Sequence, residues 1–495
     1  MGREETASKL PTLTGALIGL IAGVAVYAIV EFWINDANEK PLPYAVLLFT
    51  VTASAAFLML AEADRLLKPA GAALLIAGFL ILPDYLMAKA GGDETDNLSA
   101  FPALFWFLAS RWLVVYLLIV LAKAALTEGP RLHYRAVFLH GLTVPLIFGG
   151  AKLFAGLALL LLFAWAALLK SMDVHFFNRL FQEPWFIFPF LGGIGGLSLT
   201  MMRGQQAALG ALRFVLLLFC RIAMPITALF TATFLIVLVA NGLGPIFERP
   251  YPAALMTGLA FAGMLIFNGV YQNGEGGPPP LWLRLSALLA LAGFPVYAGL
   301  AVHALQLRIE DYGLTPPRVA GLVVSGLAAA YSIVCLAGLA SELHWRAKRW
   351  MAPVGTLNIA MAALWVVALT AMATPLANLW AISADSQYRR IAEARVPAAD
   401  FDFGYLRFEL GRHGEKALDR MAALEDHPEI DAIREGVARA RAANSYWDYE
   451  SPPIEAEDAE EREPGPIDLE FNPPDADVDA GPESEAPDEA SRNGE

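Results

Sequence analysis

Eleven stretches of this 495-residue chain are apolar and nearly free of charge over about 18 residues or more, the length at which a helix crosses the hydrocarbon core of a bilayer. They fall at about 13–33, 42–60, 69–88, 102–122, 146–169, 185–202, 214–240, 253–271, 281–301, 317–340 and 354–380. Backbone N–H and C=O groups find no water in lipid, so such segments are confined to helices. The pattern predicts an all-α fold: a polytopic transmembrane helix bundle, a short extramembrane αα-hairpin and an acidic tail. Only 17% of the residues are charged, against about 25% in soluble domains. An ordinary soluble enzyme is excluded.

The net charge of −14 belongs to one segment. Between Pro452 and Glu495, 16 Asp and Glu face only Arg462 and Arg492, and the rest of the chain is neutral. Rich in Pro, Glu, Asp, Ala and Gly, that segment has too little apolar area to fold, so 446–495 reads as a disordered acidic tail. No basic stripe points to nucleic acid. Cys220 and Cys335 both fall inside apolar runs, which leaves no disulfide framework. The first run, Leu13 to Trp33, is too long for a signal-peptide core and reads as a retained first helix. Residues 1–380 form the transmembrane domain and 381–445 the hairpin.

Lys and Arg in short loops set the orientation. The N-terminus and every second loop after it carry the larger share: Arg3 and Lys9, Arg65 and Lys68, Lys123 to Arg135, Arg203 and Arg213, and Arg346 to Arg349. This puts the N-terminus in the cytoplasm, and an odd number of spans puts residues 381–495 outside it. Gly15, Gly19 and Gly23 form a small-residue stripe, repeated at Gly192 and Gly196, and read as packing seams.

After the last run, Asp400 or Asp402 is positioned to cap a helix reaching Leu424, with Leu406, Leu410, Ala417, Met421 and Leu424 on one face. Asp426-His427-Pro428-Glu429 reads as a capping box for a second helix ending near Ala443. The pair is too small for an enzyme domain. It reads as a docking element.

Ionisable residues inside spans are functional suspects. Lys152, in the fifth, either faces an aqueous cavity, holding an anion or lipid head group, or snorkels to the interface. Arg213 and Arg221 share a face of the seventh and suit lipid phosphates. His133 and His140 lack a third ligand, so no metal is expected. Asp84, His303 and Gln306 read as interfacial. Glu31, Asp36 and Glu39 flank the first outward loop, where a membrane glycosyltransferase with a lipid-linked donor places its base. The bland alternative is a solvated loop. There is no P-loop, GxSxG or HExxH, and no cofactor is implied.

Two motifs stand out: RIEDYGLTPPR at 308–318 and YLRFELGRHG at 405–414. With AKLFAGL at 151–157, they resemble a bacterial family of multi-span membrane proteins catalogued as a domain of unknown function (DUF4153 type). The resemblance runs to about residue 445. It implies a bacterial inner membrane protein with an extramembrane hairpin, and no established activity. Tyr is expected where this chain has His413, so that histidine receives no role. In the first motif Gly313 permits a turn, Thr315 suits an N-cap and Pro316 a first turn. If the hairpin docks over this turn, Asp402 or Glu409 meets Arg308 or Arg318; otherwise the motifs are independent caps. The reading favours a non-enzymatic envelope component involved in transport or lipid handling, with membrane lipids and an envelope protein as partners. A glycosyltransferase-like enzyme with Glu31 or Asp36 as base is the alternative.

Overall fold

The computed structural model describes residues 10–35, 41–89, 101–247, 252–342 and 349–450. Asp36, Glu39 and residues 451–495 of the expected tail lie outside them, whereas its first residues, 446–450, form a short helix with Tyr449 packed on the extramembrane core. The described residues form helices and turns with no strand: α1 Thr12–Ile29, α2 Pro41–Leu60, α3 Leu67–Lys89, α4 Phe101–Glu128, α5 Tyr134–Ser171, α6 Phe176–Leu180, α7 Pro184–Gly204, α8 Gln206–Asn241 and α9 Gly244–Phe247. There follow α10 Pro252–Tyr271, α11 Leu281–Tyr312, α12 Pro316–Glu342, α13 Ala352–Ala371, α14 Leu379–Ala392, α15 Phe403–Glu409, α16 Gly411–Ala422, α17 Ile430–Ala442 and α18 Tyr446–Glu450. Among the described residues, 11 helices are long and apolar enough to cross a membrane. The protein is an integral membrane protein.

Two spans differ instructively from the apolar runs. The fifth begins at Tyr134, so α5 is continuous for 38 residues despite Pro145. Proline cannot donate to the carbonyl four residues back, which here is Gly141. That oxygen accepts the Tyr116 hydroxyl instead, at 2.8 Å. The last span stops at Ala371, where Pro375 opens a short 3-10 turn, rather than at 380.

The spans pack around two apolar cores. Met59, Ile119, Ile147 and Leu209 are buried in one, which α2, α3, α4, α5, α7 and the start of α8 share. Phe267, Leu291, Met224 and Val354 are buried in the other, among α8 and α10–α13. Val366 and Leu369 of α13 reach the first. Against α7, α1 packs with backbone almost touching backbone: a Cβ on Gly19 would lie 2.1 Å from Gly192 O, and one on Gly196 2.1 Å from Gly15 O. The glycine stripes are a packing seam, as their spacing implies.

Several polar side chains inside the bundle are paired across spans, which offsets the cost of their burial. Asp84 of α3 receives Arg111 of α4 in a two-pronged pair, at 2.5 and 3.2 Å. Arg284 of α11 binds Glu342 of α12 at 2.7 Å. Asn268 of α10 ties three further spans together. It accepts from Asn358 of α13 at 2.7 Å and Tyr134 of α5 at 3.3 Å, and donates to Tyr331 of α12 at 2.8 Å.

The extramembrane part is larger than the expected hairpin. It begins with α14, and α14–α17 surround a core of Ile391, Phe403, Leu406, Leu410, Leu418, Met421, Ile433 and Val437. Leu406, Leu410, Ala417 and Met421 are buried as their spacing predicts, and Leu424 partly so. The helix running to Leu424 is instead two helices, because Gly411 takes φ 49° and breaks it after Leu410. Gly414 permits the resulting close approach: a Cβ there would lie 1.7 Å from Leu406 O. The capping box is not formed either. Glu429 accepts the Ala398 N–H at 2.8 Å, and His427 accepts the Glu429 N–H at 3.1 Å while donating to Ile391 O at 2.8 Å.

Candidate functional site

The α11–α12 turn and the extramembrane helices meet in one clamp. Gly313 ends α11 with φ 72°, and Pro316 opens α12. Between them the backbone turns away from helical pairing and leaves carbonyls free. Gln387 of α14 takes two of them, donating from Nε2 to Tyr312 O at 3.0 Å and Leu314 O at 3.1 Å. The Leu314 N–H donates to Ser386 Oγ at 3.1 Å. Arg390 donates to Asp311 O at 2.6 Å and to Gln387 Oε1 at 3.2 Å, which fixes the glutamine amide. Beneath these bonds Leu379 is buried with Val319 and Ala320 of α12.

A second point of attachment lies at Asn378. Its Oδ1 caps α14 by accepting the Ala381 N–H at 2.9 Å, so its Nδ2 faces Met87 Sδ of α3 and His413 Nε2 of α16, each at 3.2 Å. An amide NH2 needs an acceptor, which sets His413 neutral with its proton on Nδ1. Burial, followed by Lys416 and Arg412, holds the His413 pKa below its ordinary value. Freed from this contact, His413 returns to the ordinary imidazole value of about 6.5. The lowered value means that its contribution to docking is complete above that pH and is lost as pH falls through the docked value. The protection of the α14 amides, corrected for the intrinsic pH dependence of exchange, is therefore expected to fall as the pH drops below neutrality. His413→Gln, which keeps an acceptor, should flatten that change; an unaltered pH profile would remove His413 from the attachment.

The residues expected to make the docking contact are differently engaged. Asp402 caps α15 through the Tyr405 N–H at 2.9 Å and accepts the Tyr446 hydroxyl at 2.5 Å. Glu409 and Arg308 are exposed. Arg318 donates to Gly313 O at 2.7 Å and lies over the Tyr312 ring. No salt bridge joins Asp402 or Glu409 to Arg308 or Arg318 among the described residues. The side chain between them is Tyr405: burial and then Glu409 raise its hydroxyl pKa, opposed by Arg318. The two motifs do face each other, through a phenol rather than an ion pair. Helix α14, which neither motif contains, makes most of the bonds.

Lys152, Arg213 and Arg221 do not converge. Lys152 is exposed and stacks on Trp112, 4.6 Å from the ring centre. Arg213 is half-buried and donates to Thr143 at 3.2 Å, and Arg221 is exposed. None lines the cavity between α8, α10, α11 and α12, whose roughly 20 Å³ borders Thr231, Tyr297 and Tyr331 and has room for about one water. Glu31 is half-buried on a π-helical turn, Val30–Ile34, that continues α1. His140 lies 3.4 Å from Thr127 Oγ1, and His133 pairs with Glu128 at 3.4 Å. Among the described residues no three His, Cys, Asp or Glu side chains group as a metal site.

Ser386, Gln387, Asn378 and Met87 escaped the sequence reading. The available signal was Ser386, Gln387 and Arg390 on one face of a short amphipathic helix directly after the last span. Their partners are backbone groups, which carry no residue signature. No family model, curated protein or solved structure matches the chain.

Proposed function

We propose that the chain is a non-enzymatic component of a bacterial inner membrane, acting in transport or lipid handling. On this reading α14–α18 form a fixed platform on the outer face for an envelope protein partner. Kinship with the DUF4153-type family, a cytoplasmic N-terminus and a periplasmic C-terminal segment belong to the same proposal. The observation that carries it is the clamp. Gln387, Ser386 and Arg390 read the backbone of the α11–α12 turn, so the extramembrane helices are oriented by bonds rather than tethered by a linker. Orientation of that kind serves a partner that must meet the helices and the bundle together.

A second reading, a glycosyltransferase-like enzyme with a lipid-linked donor, has one observation in its favour. Glu31 sits on a π-helical turn, a distortion frequent at functional sites.

One set of strains separates the two. A photoreactive residue at exposed Glu435 reports the partner, and envelope glycans report transfer. Gln387→Ala with Arg390→Ala is expected to abolish the cross-link while glycans stay normal. A cross-link that survives undocking would sink the platform. A glycan defect in Glu31→Gln alone would favour the enzyme.

A further inference from the structure

At the end of the bundle opposite the extramembrane helices, five helices bring Lys123, His140, Arg203 and Arg213 together. The separation follows from α3, which starts just beyond this cluster and ends beside Asn378 at Met87; its 23 residues span about 34 Å. Arg203 of α7 donates to Leu58 O and, at 2.8 Å, to Ala61 O. Lys123 of α4 donates to Met59 O at 3.2 Å. These carbonyls end α2, where no partner exists within the helix. Arg213 of α8 reaches Thr143 of α5 at 3.2 Å. Lys123 lies in electrostatic range of Arg203 and Glu62, and His140 in range of Lys123 and Arg213.

The charges here do not balance. Among the described residues three basic side chains, Lys123, Arg203 and Arg213, face one carboxylate, Glu62, and the C-terminus of α2, which supplies about half a negative charge. The other described acids of this end are engaged elsewhere: Glu128 lies 3.4 Å from His133, Asp64 3.9 Å from Arg65, Glu275 3.4 Å from Arg135, and Glu342 2.7 Å from Arg284. Basic groups outnumber acidic ones among side chains that are all half-buried. Beside Arg213, the apolar Leu212 and Phe214 are exposed on α8.

We propose that this cluster binds the phosphate of an anionic phospholipid from the adjoining leaflet. Lys123 offers the phosphate a point charge, and Arg213 a planar fork for its oxygens. Arg203 stays on the α2 carbonyls and adds charge. The acyl chains run along the exposed apolar face of α8. Basic pockets between spans are where such head groups lodge.

The test uses the full-length protein in nanodiscs of phosphatidylcholine, with and without phosphatidylglycerol, and counts retained lipid by native mass spectrometry. Phosphatidylglycerol is expected to be enriched over phosphatidylcholine. Lys123→Gln and Arg213→Gln should each weaken its retention about fivefold, the effect of one basic residue at a membrane surface. Arg221→Gln, elsewhere on α8, should retain it, and Arg213→Lys, which keeps the charge but not the fork, should retain more than Arg213→Gln. Unchanged melting of the Gln variants in phosphatidylcholine separates lost binding from lost fold. Equal retention of the two lipids, or an equal loss in Arg221→Gln, overturns the site. If inorganic phosphate in phosphatidylcholine discs stabilises the protein as much as phosphatidylglycerol does, the lipid assignment fails and the site belongs to a soluble phosphate.

Discussion

Gly313→Ala is expected to release the extramembrane helices from the bundle. Gly313 has φ 72° and ψ −178°, a backbone region nearly exclusive to glycine that costs other residues about 1–3 kcal/mol. The new Cβ also meets the clamp itself, 2.6 Å from Arg390 Cδ and 2.8 Å from Gln387 Nε2. To make room, those side chains must leave the carbonyls of Asp311, Tyr312 and Leu314, at about 1 kcal/mol for each bond lost. Together these effects reach at least about 4 kcal/mol, or roughly a thousandfold in the docking equilibrium. Hydrogen exchange across α14 in the purified protein measures it. Ser386→Ala, which removes one acceptor, should change the same amides only about fivefold. Unchanged protection in Gly313→Ala would mean that the apolar contact of Leu379 with Val319 and Ala320 holds the unit by itself.

Gly19→Leu is expected to drive α1 from α7. The obstruction is backbone: Gly192 O at 2.1 Å and Gly192 C at 2.9 Å from the added Cβ. No rotamer of a neighbour can relieve it, so the cost should exceed the usual overpacking penalty of about 1–3 kcal/mol. Lipid tails are as apolar as the helix faces, so this association depends on close packing rather than on escape from water. A helix moved off by a leucine has little else to hold it there. Thermal unfolding in detergent should show a large fall for Gly19→Leu. Gly78→Leu and Gly156→Leu, where nothing lies within 4 Å of the Cβ, should leave the transition in place. Equal melting of all three would show that the seam contributes little to stability.

Both results bear on one design. The bundle carries its extramembrane helices at one end and an excess of basic side chains at the other. The spans between are joined by a glycine seam and by paired polar groups, and neither device tolerates a small change in separation.

Much of the architecture could be read from residues alone. A run of about 20 apolar residues has few options in lipid, so the number and order of the spans followed from composition along the chain. The buried face of Leu406, Leu410, Ala417 and Met421 followed from helical periodicity, and the seam from glycines four apart. These features are local: each is fixed by the chemistry of its own segment. The break after Leu410 was not, because Gly411 in a helical pattern reveals its positive φ only once Gly414 packs on Leu406.

The docking contact shows where sequence stops and tertiary structure decides. Opposite charges at Arg318 and Glu409 invited an ion pair, since charge is the only long-range attraction visible in a list of residues. In the folded protein Gln387, Ser386 and Arg390 bind backbone atoms of the turn instead. Every residue carries the same carbonyl, so which carbonyls are left free depends on where α11 ends, and which side chains reach them on how α14 lies. The same holds for Lys123, Arg203 and Arg213, which stand far apart in the chain. What the sequence alone determined was that α2 must end and leave carbonyls unpaired; only the packing of α4, α7 and α8 around that end decided that three basic side chains would collect there.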